Sequence, residues 1–253
     1  MSTVGKALSL LNLVASLSED TGLSDIARLA GLDKATARRL LVDLEAHGFI
    51  EQDKASKRYR IGAAPVRLAR IREARFPFLR TAIPVVKALN EETEETCHLS
   101  EFSGHELWTV HVETSPRANR VIVDVGSCYP LHATASGLAL LAFLPEESRE
   151  AFLAQPLKAF TSHTVTDPDA LRARIAETRA RGASVSRNGL EPGVISTAAP
   201  ILSPDGLPVG TISIAAPEVR VDDARLAALS AAAQAAASRL AAALYGLDIR
   251  QKR

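Results

Sequence analysis

Cysteine is scarce in this chain of 253 residues: Cys97 and Cys128 stand far apart and are the only two. They provide neither the paired spacing of a zinc site nor a disulfide framework, which suits a protein of the reducing cytosol. The six histidines contain no H-x-x-x-H pair. We therefore expect no metal centre and no cofactor.

The sequence also lacks an apolar run of membrane-spanning length and an N-terminal signal-peptide pattern. These absences predict a cytoplasmic protein without a membrane partner. The formal net charge is only +1, so a contact with nucleic acid must come from a local cluster of cations. With 47% hydrophobic and 23% charged residues, the chain is globular, and it is long enough for one large domain or two smaller ones.

The first sixty residues contain three short helical patterns. Apolar residues recur at helical spacing in the first pattern, namely Val4, Leu8, Leu11 and Ala15, with Leu10, Val14 and Leu17 beside them. Ser24 is predicted to cap the second helix and Asp33 the third. Two helices joined by a tight turn containing a glycine, here Gly31, are typical of a helix-turn-helix.

Cations cluster on the outer face of the third helix and on the segment that follows it. The strand pattern FIEQD, the turn KASK and the returning strand RYRIG form a basic hairpin, which resembles a wing that contacts DNA. The sequence predicts that residues 1–62 form a winged domain. Its predicted contacts with double-stranded DNA are Lys34, Thr36, Arg38, Arg39, Lys57 and Arg58. The alternative is a small helical domain whose charges are only solvated.

Residues 63–78 are predicted to form a linker helix, in which Leu68 and Ile71 share one face and Pro77 ends the helix. Two interpretations remain open for this segment. It is either a solvated connector, or a helix that pairs with its twin in a second copy and fixes the spacing of two winged domains.

From Leu79 the pattern changes to a second domain, residues 79–253. A first helix is predicted to direct Ile83, Val86 and Leu89 inward and the acids of 91–95 outward. Alternation predicts strands in CHLSEF, ELWTVHVE, RVIVDVG, ASVSRN, STAAPIL and PVGTISIAA. Helices are predicted at Pro130–Phe143, in PEESREAFLA, in DPDALRARIAETRARG, and in a final alanine-rich stretch with a stripe from Leu226 to Leu244. The pattern indicates an α+β fold with a largely antiparallel sheet.

Seven segments together carry a resemblance to a known family: VGKALSLLNLV, LSDIARLAGLDKATARRLL, GFIEQD with YRIG, PLHATASG, TDPDALRARIAETRARG, GVISTAAPI and GTISIAAPEVR. In order and spacing they resemble the IclR family of transcriptional regulators over nearly the whole chain. The resemblance implies a winged helix-turn-helix, a linker helix and a GAF-like α/β ligand-binding domain. It also implies a homodimer or a dimer of dimers, which we expect to bind a partly palindromic operator.

Five small residues, 133–137, precede an apolar run and leave the backbone at the start of a helix uncovered. Free N–H groups and the helix dipole at such a start attract anions. The resemblance assigns ligand contact to positions on this helix and on three strands. The predicted effector site for a small organic acid consists of Ala135, Ser136, Ser186, Asn188, Ser196, Thr211, Ser213 and Ala215.

The chain departs from the family pattern at two places. Leu138 stands where relatives usually carry lysine, and the neutral Ser186 and Asn188 stand where an acid is often found. The absence of this acid favours an anionic guest.

Two alternatives to an effector-controlled regulator remain. One is a constitutive DNA-binding regulator whose second domain only oligomerises. The other is a small-molecule hydrolase that uses His132 and Ser136, which are spaced i, i+4 on one helix face. Nothing orients that histidine and no G-x-S-x-G motif is present, so we do not expect an enzyme. His98 and His111 are expected to be structural or surface residues.

Overall fold

The structure, a computed structural model, describes residues 1–246. It divides between Phe76 and Pro77 into two compact units. Residues 247–253, which belong to the predicted second domain, lie outside the described residues.

The N-terminal unit contains four helices and a small antiparallel sheet. The helices are α1 Thr3–Ser16, α2 Leu23–Leu29, α3 Lys34–Ala46 and α4 Ala64–Arg75, and the strands are β1 Thr21–Gly22, β2 Ile50–Gln52 and β3 Arg58–Ile61. The sheet order is β1-β3-β2. Residues from α1, α2, α3 and both hairpin strands share one core, so the predicted helix-turn-helix and wing are confirmed.

The caps of α2 and α3 test two local predictions. Asp33 caps α3 as predicted, because its side chain accepts a hydrogen bond from the N–H of Thr36. The prediction for Ser24 is wrong. Gly22 is the N-cap of α2 and Ser24 lies inside the first turn, because β1 ends at Gly22 and the chain turns directly into the helix.

Helix α1 buries only one of the two apolar rows that the sequence shows. Leu10 and Val14 are buried, whereas Val4 and Leu8 are 69% and 53% exposed within this unit. Both rows recur at helical spacing, so the sequence does not tell which one is buried. The contact of α1 with α3 places the row of Leu10 and Val14 in the core.

The C-terminal unit has three layers. Its helices are α5 Phe78–Thr93, α6 Ala135–Phe143, α7 Glu146–Leu153, α8 Pro168–Arg181 and α9 Asp223–Tyr245, with a 3-10 turn at Glu218–Arg220. Its strands are β4 Thr96–Ser103, β5 Glu106–Glu113, β6 Ser184–Arg187, β7 Val194–Leu202 and β8 Pro208–Pro217. They form one sheet in the order β5-β4-β8-β7-β6, with every pair antiparallel.

Helices cover both faces of this sheet. Helices α5 and α9 pack on the face that carries Ile212 and Ile214, while α6 packs on the opposite face and contacts α8. The predicted α+β architecture with an antiparallel sheet is confirmed. The apolar core beneath α6 and α8 includes Leu138, Leu140 and Ile175.

The predicted strand at 120–126 does not exist. The segment between β5 and α6 is irregular, and its only bridge to the sheet among the described residues pairs Cys128 with Trp108. Hydrogen bonds at several points hold the segment against the unit: the hydroxyl of Thr96 donates to the carbonyl of Val121, and the N–H of Gly126 donates to the carbonyl of Thr109. The apolar residues that suggested a strand, among them Val121 and Val123, line a cavity instead of packing in a sheet.

Three further boundaries or faces differ from prediction. Helix α6 begins at Ala135, five residues after Pro130. Ile83 on α5 is 37% exposed instead of buried. Glu95, predicted to face outward, is buried, because its carboxylate receives two hydrogen bonds from the guanidinium of Arg220 at 3.1 and 2.6 Å.

Among the described helices, α9 alone has the length and apolar composition to cross a membrane, which the sequence prediction overlooked. It packs against α5, β7 and β8. Leu226, Leu229 and Leu240 are buried in that contact, and Leu244 is half-buried. Its apolar stripe is therefore used within the core of this unit.

Candidate functional site

The first candidate site is the outer face of α3. The helix buries Ala37, Leu40, Leu41 and Leu44 on one side. This orientation leaves Lys34, Arg38 and Arg39 exposed on the other. Thr36 is half-buried and takes part in the cap, since its N–H donates to the carboxylate of Asp33 at 2.8 Å. Hydrogen bonds from the hydroxyl and the N–H of Thr36 lower the pKa of Asp33.

The hairpin places a further cation beside this face. Lys34, Arg38, Arg39 and Lys57 line one open groove, together with Val42, Gln52 and Tyr59, which the sequence did not single out. Arg58 is not part of this lining: its Nη1 donates to the carbonyl of Asp20 at 3.0 Å. The groove thus gathers four of the six predicted DNA-contacting residues.

The second candidate site is a cavity of about 560 Å³, including its open mouth, at the start of α6. Its wall comes from β4, β6, β7, β8, the turn before β7 and the irregular segment 121–123. Five predicted residues line it: Ala135, Ser136, Ser186, Ser196 and Ala215.

Backbone contacts explain the small residues at the start of α6. Ser184 and Ser186 on β6 donate to the carbonyls of Ala135 and Ala133, so the strand lies directly against the helix. Thr134 caps the helix by accepting from the N–H of Gly137. No described acceptor satisfies the N–H groups of Ala135 and Ser136, the first two of the helix.

A buried chain of hydrogen bonds forms one side of the cavity. The hydroxyl of Ser136 is 2.5 Å from that of Ser213 and 3.1 Å from Nε2 of His98. Burial lowers the pKa of His98 to about 4, so the imidazole is neutral at physiological pH. Ser213 therefore lies behind Ser136 and does not itself line the cavity.

Two other predicted residues are also outside the lining. Thr211 is fully buried, and its hydroxyl has no hydrogen-bond partner among the described residues. Asn188 supports the turn before β7: its amide donates to Glu218 and its carbonyl accepts from the N–H of Gly193. The strand face of Thr211 was predictable, but its depth was not, and Asn188 lies just after the end of β6.

Sequence reasoning missed several lining residues, above all His98, Glu191 and Tyr129. His98 was expected to be structural or superficial. The acid expected near Ser186 and Asn188 is not missing from the cavity, because Glu191 supplies one from the turn that follows. The sequence EPGV could have revealed this acid, because Glu191 stands three residues before Val194, close to the start of the strand.

The proposed hydrolase pair does not form. Nε2 of His132 lies 2.8 Å from the carbonyl of Lys158, and its ring packs between Phe152 and Phe160. Ser136 instead contacts His98, whose low pKa makes it a weak base. Across residues 1–246 no group of His, Cys, Asp or Glu is arranged to hold a metal ion.

Two family models match this chain, one in each half of the sequence. The IclR helix-turn-helix domain matches residues 3–54, and the C-terminal domain of bacterial IclR transcriptional regulators matches residues 74–242. The glycerol operon regulatory protein of Streptomyces coelicolor is 36% identical over 196 residues, which are 78% of this chain and 77% of that protein.

Two crystal structures are similar over almost their full length. An IclR-type regulator from Silicibacter is 38% identical, with a TM-score of 0.87 and coverage of 100% of both chains. An IclR homologue from Microbacterium hydrocarbonoxydans, solved with 4-hydroxybenzoate, is 25% identical with a TM-score of 0.83, covering 96% of this chain and 99% of its own. The chain belongs to the IclR family of bacterial transcriptional regulators and is a DNA-binding protein.

Proposed function

We propose that this regulator binds a partly palindromic operator as a homodimer or dimer of dimers, and that a small organic acid in the α6 cavity controls its operator affinity. The proposal of an effector depends on one observation, the cavity itself. Two N–H groups at the start of α6 lie there beside buried polar side chains. A relative of the same family was solved with 4-hydroxybenzoate, an organic acid, which supports this class of guest. We place its activity in the cytoplasm.

The proposed DNA interface consists of the six residues predicted from the sequence: Lys34, Thr36, Arg38, Arg39, Lys57 and Arg58. The cations of this set on α3 and on the wing are exposed, which supports their contact with DNA phosphates. One winged domain reads only a few base pairs, so specificity requires two. Exposed apolar residues on α1 and α4, including Val4 and Val66, offer surfaces through which two copies could associate.

Arg39→Ala is expected to weaken operator binding and to lower the slope of log affinity against log salt by about one unit, because one phosphate contact is lost. The measurement is a salt titration of operator binding by fluorescence anisotropy. Arg28→Ala is the matched control: Arg28 is an exposed cation on α2, pairs with Asp25 and lies outside the groove. Equal slopes for the parent and Arg39→Ala would contradict the proposed interface.

Ser196→Leu is expected to abolish effector binding, because Ser196 lines the cavity and a leucine there fills it. Ser196 is a better test position than Ser136. The hydroxyl of Ser136 bonds to His98 and Ser213, whereas no hydrogen bond of the Ser196 side chain is found among the described residues. A panel of small acids is first screened by thermal shift, since a ligand of the folded protein raises its apparent stability. Calorimetry of each hit then follows, with and without operator, on the parent and the variant.

Control of DNA binding requires that operator and effector change each other's affinity by the same factor. An effector affinity that is unchanged by operator would mean that the cavity is not a switch. Stabilisation of Ser196→Leu by the same acid would place the binding site elsewhere. If no acid shifts the parent, the constitutive regulator is favoured.

A further inference from the structure

The charge of the cavity lining is the opposite of what a simple anion site would need. Among the described residues that line it, none is lysine or arginine, and Glu191 is the one carboxylate. His98 is neutral. The positive potential comes only from the start of α6, where a helix terminus carries about half an elementary charge. The start of α6 thus favours an acceptor, whereas Glu191 adds a negative charge to the same lining.

A second polar group, the imidazole of His98, lies beside the start of α6 in the cavity lining. His98 lines the cavity and is 6% exposed, and its Nδ1 has no hydrogen-bond partner among the described residues. It lies next to Ser136, whose own N–H is one of the two unpaired N–H groups of α6. Polar groups buried without partners are costly, and an acceptor bound at the N–H groups of Ala135 and Ser136 would compensate for part of that cost.

The turn that carries Glu191 is held firmly. The hydroxyls of Thr161 and Thr164 donate to the carbonyls of Asn188 and Gly189, both at 2.6 Å. Gly189 lies so close to Ala133 that a Cβ there would approach the carbonyl oxygen of Ala133 to 2.5 Å. Glu191 itself is exposed, and no ion pair or hydrogen bond of its carboxylate involves another described residue. The carboxylate is therefore available to a guest.

We propose that Glu191 determines effector specificity, so that the cavity accepts a monocarboxylate bearing a hydroxyl or ammonium group and rejects a dicarboxylate. The carboxylate of the guest binds at the start of α6, and its donor group faces Glu191. A second carboxylate in that position would meet the like charge of Glu191, whose exposure to water limits the repulsion to a moderate size. This inference rests on the proposed effector cavity.

The test compares matched acids at constant ionic strength by calorimetry and thermal shift. The aliphatic set is propionate, lactate, alanine and malonate, and the aromatic set is benzoate, 4-hydroxybenzoate and terephthalate. In the set that fits the cavity, we expect a donor-bearing acid to bind about fivefold more tightly than the plain acid, and the dicarboxylate about fivefold more weakly. Lactate against alanine distinguishes a hydroxyl from an ammonium donor.

Glu191→Gln keeps the shape of the side chain and removes its charge, so it is expected to bring the dicarboxylate to within about twofold of the plain acid. Glu91→Gln on α5 is the control, because it removes an exposed charge outside the cavity lining. If the dicarboxylate binds the parent as well as the plain acid, or if Glu191→Gln leaves their ratio unchanged, the inference is overturned and the effector cavity stands. If no acid of either set binds, the acid effector and this inference are both overturned.

Discussion

Gly137→Ala is expected to destabilise the C-terminal unit by about 4 kcal/mol, which is a large share of the stability of an ordinary domain. A Cβ at this position would overlap the Cα and the carbonyl oxygen of Leu131. Backbone atoms cannot rotate away as a flexible side chain does, so α6 and the turn that contains Leu131 would have to move apart. The measurement is urea unfolding followed by circular dichroism, with the free energy of unfolding as the result.

Gly22→Ala is the matched control, because it adds the same methyl group where no atom lies within 4 Å. Its φ is −77°, which alanine adopts without strain. A change of less than about 1 kcal/mol is expected there, from the poorer helix cap alone. Wild-type stability of Gly137→Ala would show that α6 and the preceding segment are not packed as described.

Arg220→Ala is expected to destabilise the C-terminal unit by about 3 kcal/mol, because it leaves the Glu95 carboxylate buried without a cation. The Glu95 side chain is 4% exposed and that of Arg220 is 22% exposed. Arg220 also donates to the carbonyl of Asn119 at 2.7 Å, so the variant loses a bond to the segment that leads to the cavity wall. Thermal and urea unfolding measure the loss.

The exposed pair Arg117–Glu94 is the control for this experiment. Its side chains are 46% and 55% exposed, so Arg117→Ala is expected to cost less than about 1 kcal/mol. Adding Glu95→Gln to Arg220→Ala is expected to restore part of the stability, since no unpaired charge then remains buried. Equal losses for Arg117→Ala and Arg220→Ala would contradict the assigned role of burial.

Local patterns were sufficient for α3 and the wing. The cap at Asp33 and the spacing of Leu40, Leu41 and Leu44 involve residues within one or two helical turns, so the sequence predicts them directly. The wing follows from a turn between two alternating stretches. The linker helix is also local, with α4 ending at Arg75 before Pro77.

Predictions failed where burial depends on a distant partner. Glu95 follows a run of exposed acids, and only Arg220, 125 residues away in sequence, makes its burial possible. Val121 and Val123 alternate as a strand does, yet their apolar sides line a cavity. In both cases the residue type indicated what kind of environment the side chain needs. It did not indicate which distant part of the chain provides that environment.

The sequence by itself determined the family, the two kinds of fold, the cations of α3 and the small residues at the start of α6, because each depends on short-range periodicity or on motifs in a fixed order. Only the tertiary structure decided which polar residues reach the cavity. Ser136 and Ser196 line it, Ser213 lies behind Ser136, and Glu191 enters from a turn. Strand alternation specifies a face, whereas depth along that face is determined by how closely α6 and the turn before β7 pack against it.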